Sequence, residues 1–182
     1  SAASDVYKRQ VLAAGSGKRM NSKVHKQYLI IQDRPVLYYS LKAFEDSAVD
    51  EIVLVVGKGE EKFCRKEIVD KYGISKVKAI VEGGKERYHS VFEGLKQTSD
   101  ADYVLIHDGA RPYVSKQSIN DLVECLKTYD AGLLMVPCKD TIKEVKEGIV
   151  VKTLKRETLM QAQTPQVFKS EDIKAVSYTH LR

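Results

Sequence analysis

Short, continuously apolar runs alternate along this chain with segments of helical periodicity. The runs are rich in β-branched residues, as in strands buried on both faces of a sheet, and they are Glu51–Val56, Val77–Val81, Tyr103–Ile106 and Gly132–Val136. Between them apolar residues recur at helical spacing, for example at Leu37, Leu41 and Phe44. Strands that alternate with helices imply right-handed crossovers. The predicted fold is therefore α/β, with a doubly wound, mostly parallel sheet covered by helices on both faces.

The length of 182 residues, 43% of them hydrophobic, suits one domain with a substantial core. We predict a single domain over residues 11–175. Residues 1–10 place Tyr7–Gln10 where a buried strand should be apolar, and the last residues, from about 176 to 182, contain no helix cap or closing strand. Both tails resemble translated cloning sequence. We therefore predict that they are non-native and that the natural C-terminus is missing.

One region breaks the alternation of strands and helices. Thr141–Lys146 and Ile149–Leu154 are β-prone stretches around Glu147-Gly148 with no helix between them, which predicts a β-hairpin arm projecting from the sheet over about residues 139–156. Such an arm exposes apolar side chains, including Val145 and Val150. A partner subunit is the simplest cover, so a homodimer is expected.

Charge and cysteine content limit the other partners. The formal net charge is +5, from 30 Lys+Arg against 25 Asp+Glu, and the cations gather at loops without interleaved exposed aromatics, so no nucleic-acid partner is expected. No apolar run reaches the length of a membrane span, so no membrane partner is expected either. The three cysteines lie in apolar stretches without metal-ligand spacing. They are typical of reduced thiols, and a cytoplasmic location is predicted.

A basic glycine loop follows the first apolar strand. Gly15 and Gly17 let the backbone approach phosphate oxygens, and the nearby cations are Lys18, Arg19, Lys23 and Lys26. The spacing does not match a Walker loop, and Met20 stands where a dinucleotide fingerprint requires a small residue. This amount of positive charge favours a nucleoside triphosphate. The alternative is a solvated basic turn.

Three further loops follow predicted parallel strands, at residues 83–90, 107–112 and 137–141, and such loops converge on one sheet edge. Asp108 follows a buried run, and one carboxylate suits Mg²⁺ held together with phosphates and water. Alternatively, Asp108 only accepts bonds from its own turn. Arg111 would either neutralise phosphate or hold Asp108, and His107 is interpreted as a packed strand-end residue rather than a general base.

Five ordered motifs carry a family resemblance over about residues 11–175. The runs LAAGSGKRM…HKQYL, GGKERYHSV, HDGARP, PCKDTIK and QAQTPQVF resemble those of the 2-C-methyl-D-erythritol 4-phosphate cytidylyltransferases, which are transferases of the non-mevalonate isoprenoid pathway. The resemblance implies a Rossmann-like nucleotidyltransferase fold. It also implies transfer of CMP from CTP to methylerythritol phosphate, with release of pyrophosphate. The location would be the cytoplasm, or the plastid if the source is a plant.

The resemblance also assigns roles to individual residues. Arg19 and Lys26 would stabilise the α-phosphate during reaction, and Asp108 would bind Mg²⁺ or another divalent cation. The nucleotide would be bound by Ala13, Ala14, Gly15, Gly83 and Ser90. Methylerythritol phosphate would be bound by Thr141 and Arg156 of the neighbouring subunit. Lys18 and Arg87 would be additional phosphate-binding or structural cations. Lys155 and Met160 depart from the family pattern beside Arg156.

Two alternatives to this function stay open. Ribitol 5-phosphate cytidylyltransferases share the metal and leaving group, although Ala14 and Gly109-Ala110 favour the methylerythritol enzymes. A catalytically silent nucleotide-binding protein is the other alternative, against which the joint presence of Arg19, Lys26, Asp108 and Arg156 argues.

Overall fold

A mixed six-stranded sheet forms the centre of this computed structural model, which describes residues 7–12, 25–98 and 100–180, with the backbone alone at 7–12 and 178–180. The strands are β1 (Tyr7–Leu12), β2 (Ile30–Ile31), β3 (Arg34–Pro35), β4 (Glu51–Val56), β5 (Val77–Glu82), β6 (Tyr103–Asp108), β7 (Ala131–Pro137), β8 (Lys143–Lys146), β9 (Ile149–Thr153) and β10 (Met160–Lys169). The helices are α1 (Val36–Glu45), α2 (Glu61–Cys64, continued by a π-helical turn Arg65–Asp70), α3 (Arg87–Leu95), α4 (Lys116–Cys125) and α5 (Ser170–His180).

The strand order is β5-β4-β1-β6-β10-β7. β5, β4, β1 and β6 are parallel neighbours, whereas β10 is antiparallel to both β6 and β7. The prediction of an α/β fold with a mostly parallel sheet is confirmed. The parallel part places the carboxyl ends of its four strands at one edge.

The strand β10 was not anticipated from its sequence. It contains Pro165, which has no N–H to donate to a ladder, and the β10–β7 register shifts between Ala162 and Gln166, around this proline. The strand pairs on both sides of the proline, because the irregularity is confined to the residues between Ala162 and Gln166. It brings Gln163 and Thr164 to the end of β6.

Helices cover both faces of the sheet. Helices α1, α2 and α4 pack on one face, where Leu54 of β4 contacts a buried cluster that contains Phe44 and Ile119. Helix α3 packs on the other face, where Val53 and Val91 belong to a second buried cluster. Successive residues of β4 thus enter opposite cores, which explains its continuous apolar sequence. With both faces covered, a ligand has access to the parallel part of the sheet at its carboxyl edge.

The first strand and the last helix extend past residues 11 and 175, and the domain bounds given above stay a prediction. β1 begins at Tyr7, and its residues pair with β4 and β6 back to Lys8 and Tyr7, because the parallel ladder uses backbone groups whatever the side chain. Helix α5 continues through His180. That the two tails are foreign to the natural protein stays a prediction.

The predicted hairpin is present as β8 and β9, which pair with each other and not with the six-stranded sheet. Its turn contains Glu147 and Gly148 with φ of 51° and 80°, the left-handed conformation that glycine adopts readily. Val145, Ile149, Val150 and Val151 are each more than half exposed, at 55–69%. This hairpin, with its flanking residues 139–156, is called the arm below.

Candidate active site

Asp108, the last residue of β6, lies between two arginines from different elements. Arg87 Nη2, at the start of α3, is 3.2 Å from Asp108 Oδ1, and Arg111 Nε, in the loop after β6, is 3.3 Å from Oδ2. Arg111 also donates to Gln163 Oε1 from β10. The Asp108 side chain stays one-third exposed. Arg111 therefore holds Asp108 in place, one of the two roles expected of it.

The basic glycine loop begins beside this carboxylate. In the β1–β6 ladder Leu12 is paired with Asp108, so the chain enters the loop at the level of Asp108. Seven residues given roles above lie outside the described residues: Ala13, Ala14, Gly15, Gly17, Lys18, Arg19 and Lys23. Their roles stay predictions.

The second glycine loop is fixed to the sheet and to α3. The Gly83 N–H donates to the Val56 carbonyl of β4 over 2.8 Å, and the Gly84 N–H donates to Ser90 Oγ over 3.1 Å. Ser90 is buried. A Cβ at Gly84 would lie only 2.3 Å from His89 Cβ, so this close approach of loop and helix requires glycine. Ser90 thus shapes the loop by which Gly83 would meet a nucleotide.

His107 is buried at the end of β6 and packs edge-on against the Phe44 ring, with ring centroids 5.0 Å apart. Its Nδ1 is 3.0 Å from Thr164 Oγ1 and its Nε2 is 3.2 Å from the Arg111 carbonyl. Because both ring nitrogens have partners, His107 is a packed strand-end residue. The interpretation made from the sequence is confirmed.

Lys26 is presented by a 3-10 turn, Lys26–Tyr28, immediately after the undescribed loop. Its side chain is exposed and makes no ion pair within the described part of the chain. The turn is anchored to Glu60, which also accepts from the N–H of Gly57. Gly57 directly follows β4, so Lys26 is attached to the same sheet edge.

Thr141 and Arg156 lie at the base of the arm and are both exposed. Arg156 Nη1 donates to the Lys139 carbonyl over 3.1 Å, which links the two ends of the arm. Among the described residues neither side chain has a polar contact with Asp108 or with the loop at Gly83–Gly84. Arg87 links Asp108 to α3, the helix that contains Ser90, whereas Thr141 and Arg156 make no such contact among the described residues.

Three residues that support Asp108 and the loop after β6 were not predicted from the sequence. Thr164 Oγ1 accepts from the Asp108 N–H over 3.2 Å, Gln163 accepts from Arg111, and Ser40 Oγ of α1 contacts the carbonyls of Gly109 and Arg111 at 3.0 and 3.1 Å. A polar pair directly before a proline in QAQTPQVF was the available signal for Gln163 and Thr164. Ser40 gave no signal, because a serine within a helix is ordinary.

The donor set at this edge suits a magnesium ion that arrives with a polyphosphate. Within the described residues no three His, Cys, Asp or Glu side chains form a metal-binding group. Mg²⁺ commonly takes only one or two protein carboxylates, with phosphates and water as its other ligands. A partly exposed Asp108 at a strand end fits that pattern.

The sequence and fold resemble those of known proteins. A sequence model of the 2-C-methyl-D-erythritol 4-phosphate cytidylyltransferase family matches residues 9–182. The chain belongs to this family. No helix of the described residues is long and apolar enough to cross a membrane.

Individual cytidylyltransferases of the family agree with this assignment. The chain is 49% identical over 160 residues to the 2-C-methyl-D-erythritol 4-phosphate cytidylyltransferase of Lachnoclostridium phytofermentans, covering 87% of this chain and 69% of that protein. The enzyme of Lachnospira eligens is 49% identical over 166 residues, 90% of this chain and 73% of its own. The solved 4-diphosphocytidyl-2C-methyl-D-erythritol synthase of Anaerococcus prevotii superposes with a TM-score of 0.85 at 30% identity, over 97% of this chain and 75% of that one.

Replacement of Ser90 by alanine tests its role in the glycine loop. Ser90→Ala leaves the Gly84 N–H without its acceptor, a loss worth about 1–3 kcal/mol when the group stays buried, so amide exchange at Gly84 should accelerate about tenfold or more. Ser115→Ala is a matched control, because Ser115 caps α4 by accepting from the Ser118 N–H and its loss also costs about 1 kcal/mol. Unchanged exchange at Gly84 in Ser90→Ala would contradict the role.

Proposed function

We propose that this chain transfers CMP from CTP to 2-C-methyl-D-erythritol 4-phosphate, giving 4-diphosphocytidyl-2-C-methyl-D-erythritol and pyrophosphate. The observation that carries the proposal is the match to the cytidylyltransferase family. The position of Asp108 agrees with it, because Asp108 lies at the carboxyl edge, paired with the last residue before the basic glycine loop. The product belongs to the non-mevalonate isoprenoid pathway. Three free cysteines support a cytoplasmic location, or a plastid one for a plant source.

The reaction needs no general base. The second pKa of a phosphate monoester is about 6, so the methylerythritol phosphate is already largely a dianion at neutral pH. One of its oxygens bonds to the α-phosphorus of CTP while the bond from that phosphorus to the β-phosphate bridging oxygen breaks. The electron pair of the broken bond leaves with pyrophosphate. Catalysis then consists of positioning the two phosphates and stabilising the added negative charge.

Each of the proposed site residues has a part in this scheme. Arg19 and Lys26 supply positive charge to the α-phosphate, while Gly83 and Ser90, with Ala13, Ala14 and Gly15, hold the nucleotide. The Gly83 N–H is bonded to β4, and Ser90 is part of α3 and is bonded to the neighbouring Gly84. Both residues are therefore held rigidly before a ligand arrives. Arg87, 55% exposed beside Asp108, is available to the polyphosphate as a further cation.

We also propose that Asp108 holds Mg²⁺ or another divalent cation. When bound, the ion neutralises phosphate charge and orients the triphosphate. Asp108 suits this role because Thr164 and the two arginines fix its position while one-third of its side chain remains exposed. Arg87 and Arg111 keep the carboxylate compensated in the absence of the ion.

A homodimer would complete the site. The arm stands outside the six-stranded sheet with four exposed apolar residues, and Leu133, Met135, Val136 and Met160 of β7 and β10 are also 43–51% exposed. Together they offer an apolar surface for a second copy of the chain. Thr141 and Arg156 at the arm's base would then bind methylerythritol phosphate in the partner's site.

The substrate assignment is tested by pyrophosphate release. CTP with methylerythritol phosphate and Mg²⁺ should give the highest kcat/KM among the four nucleoside triphosphates and the sugar phosphates tried. Ribitol 5-phosphate is the critical comparison, since its enzymes share the leaving group and metal. Faster turnover with ribitol 5-phosphate would overturn the substrate, and no turnover with any pair would favour a silent nucleotide-binding protein.

Replacement of Asp108 tests the metal site. Asp108→Asn keeps the size of the side chain but removes the charge that Mg²⁺ requires, so kcat/KM should fall about 10²-fold or more and the Mg²⁺ concentration for half-maximal rate should rise. Asp121→Asn in α4, whose carboxylate accepts from Gln117 over 2.7 Å, is the matched control and should change neither. An unchanged Mg²⁺ requirement in Asp108→Asn would show that Asp108 does not bind the ion and is only a turn residue.

Mixed dimers test the shared site. An inactive Arg19→Ala chain and an inactive Arg156→Ala chain should regain activity when their subunits exchange, because one site of each mixed dimer then has both residues intact. Native mass spectrometry verifies the exchange. If mixed dimers form and activity stays absent, the arm acts within its own chain.

A further inference from the structure

The carboxylate of Glu60 makes three contacts: two with residues at either end of the Lys26–Tyr28 turn and one with the residue that follows β4. Its Oε2 accepts from the Tyr28 hydroxyl over 2.7 Å and from the Gly57 N–H over 3.0 Å. Its Oε1 lies 2.8 Å from His25 Nδ1, a close contact without the alignment of a hydrogen bond. His25 precedes the turn and Tyr28 ends it, so Glu60 fixes the segment on either side of Lys26.

The sheet leaves room for this carboxylate through a glycine. Gly57 directly follows β4, and a Cβ there would lie 2.7 Å from Glu60 Oε2 and 2.9 Å from Glu60 Cδ. Any larger residue would displace the carboxylate from the end of the strand. The backbone adds to the closure, because the Glu60 N–H donates to the Gly57 carbonyl over 3.1 Å. Glu60 therefore connects the Lys26 turn to the carboxyl end of β4.

The neighbouring side chains keep Tyr28 in its donating form. Burial raises the pKa of the Tyr28 phenol, and its hydrogen bonds with Cys64 and Glu60 raise it further. Cys64 Sγ is 3.1 Å from the Tyr28 hydroxyl, and burial raises the pKa of this thiol to about 11. Both groups stay protonated at neutral pH, so the phenol keeps its proton for Glu60. The Tyr28 ring also packs edge-on against Phe63 of α2, with ring centroids 5.2 Å apart.

We propose that Glu60 is the positioning residue for Lys26, holding the Lys26–Tyr28 turn against the end of β4 so that the ammonium group stands ready at the carboxyl edge. Glu60 touches no substrate in this arrangement and acts through Lys26 alone. The catalytic part of this inference rests on the function proposed above. The anchoring part rests on the contacts of Glu60 and is tested separately.

The kinetic test uses Glu60→Ala, with Glu60→Gln and Glu61→Ala as comparisons. Misplacement of a catalytic group by about 1 Å can cost as much as 10²-fold in rate, so Glu60→Ala should lower kcat by about tenfold to a hundredfold and change KM for CTP far less. Glu60→Gln should recover most of kcat, since its amide oxygen still accepts from Tyr28 and Gly57. Glu61→Ala, which removes the same charge one residue further along, should leave kcat unchanged.

A double-mutant comparison isolates the route through Lys26. In a Lys26→Ala background Glu60→Ala should cause no further loss of kcat, because the group that it positions is already absent. Independent, multiplying losses would overturn the proposal. A rise in KM without a fall in kcat would overturn it as well.

Hydrogen exchange tests the anchoring without any need for activity. The turn is closed by the Tyr28 N–H on the His25 carbonyl at 2.9 Å and the Leu29 N–H on the Lys26 carbonyl at 3.3 Å. In Glu60→Ala these two amides should exchange about tenfold faster than in the parent and should accelerate more than the amides of β4, whereas Glu61→Ala should match the parent. Unchanged exchange would overturn the anchoring. If the parent fails to turn over CTP, the proposed function falls, while the exchange result still decides whether Glu60 holds the turn.

Discussion

The parallel pairing of β1 with both β4 and β6 is the constraint on which the rest of the structure depends. It places Leu12 opposite Val55 on one side and opposite Asp108 on the other. The basic glycine loop must therefore start between the ends of two buried strands. Because both faces of these strands are covered by helices, the loops at the carboxyl ends form the accessible edge. Of the residues proposed to bind the nucleotide, the structure describes Gly83 and Ser90, and both lie in or next to these loops.

Charge at this edge is balanced in a way that suits an anionic ligand. Asp108 is shared by two arginines from separate elements, and Arg111 is shared in turn with Gln163 of the antiparallel strand. An isolated carboxylate there would repel a polyphosphate, whereas a carboxylate between two guanidinium groups does not. The same arrangement leaves Arg87 partly exposed. The edge thus combines a fixed carboxylate with exposed positive charge that is accessible to an anionic ligand.

Buried and half-buried polar contacts supply the rigidity of the edge. His107 is tied through Thr164 and the Arg111 carbonyl, Ser90 closes the loop at Gly84, and Glu60 closes the turn that carries Lys26. Of these three, only Ser90 is also proposed to hold the nucleotide. All three contacts restrict the conformations of neighbouring residues, which lowers the entropy lost when ligands bind.

The sequence by itself determined the order of the elements and which residues follow the strand ends. Continuous β-branched runs and helical spacing are local patterns, so the alternating fold, the hairpin around Glu147-Gly148 and the position of Asp108 after a buried strand could all be predicted. The family resemblance added roles for single residues. Only the tertiary structure decided which side chains support them, because Asp108 meets Thr164 across 56 residues, Arg111 meets Gln163 across 52, and Tyr28 meets Glu60 across 32. Local periodicity indicates only which face of an element is buried. Such contacts depend on the strand order and on the antiparallel strand β10, which is hard to predict from sequence because it contains a proline.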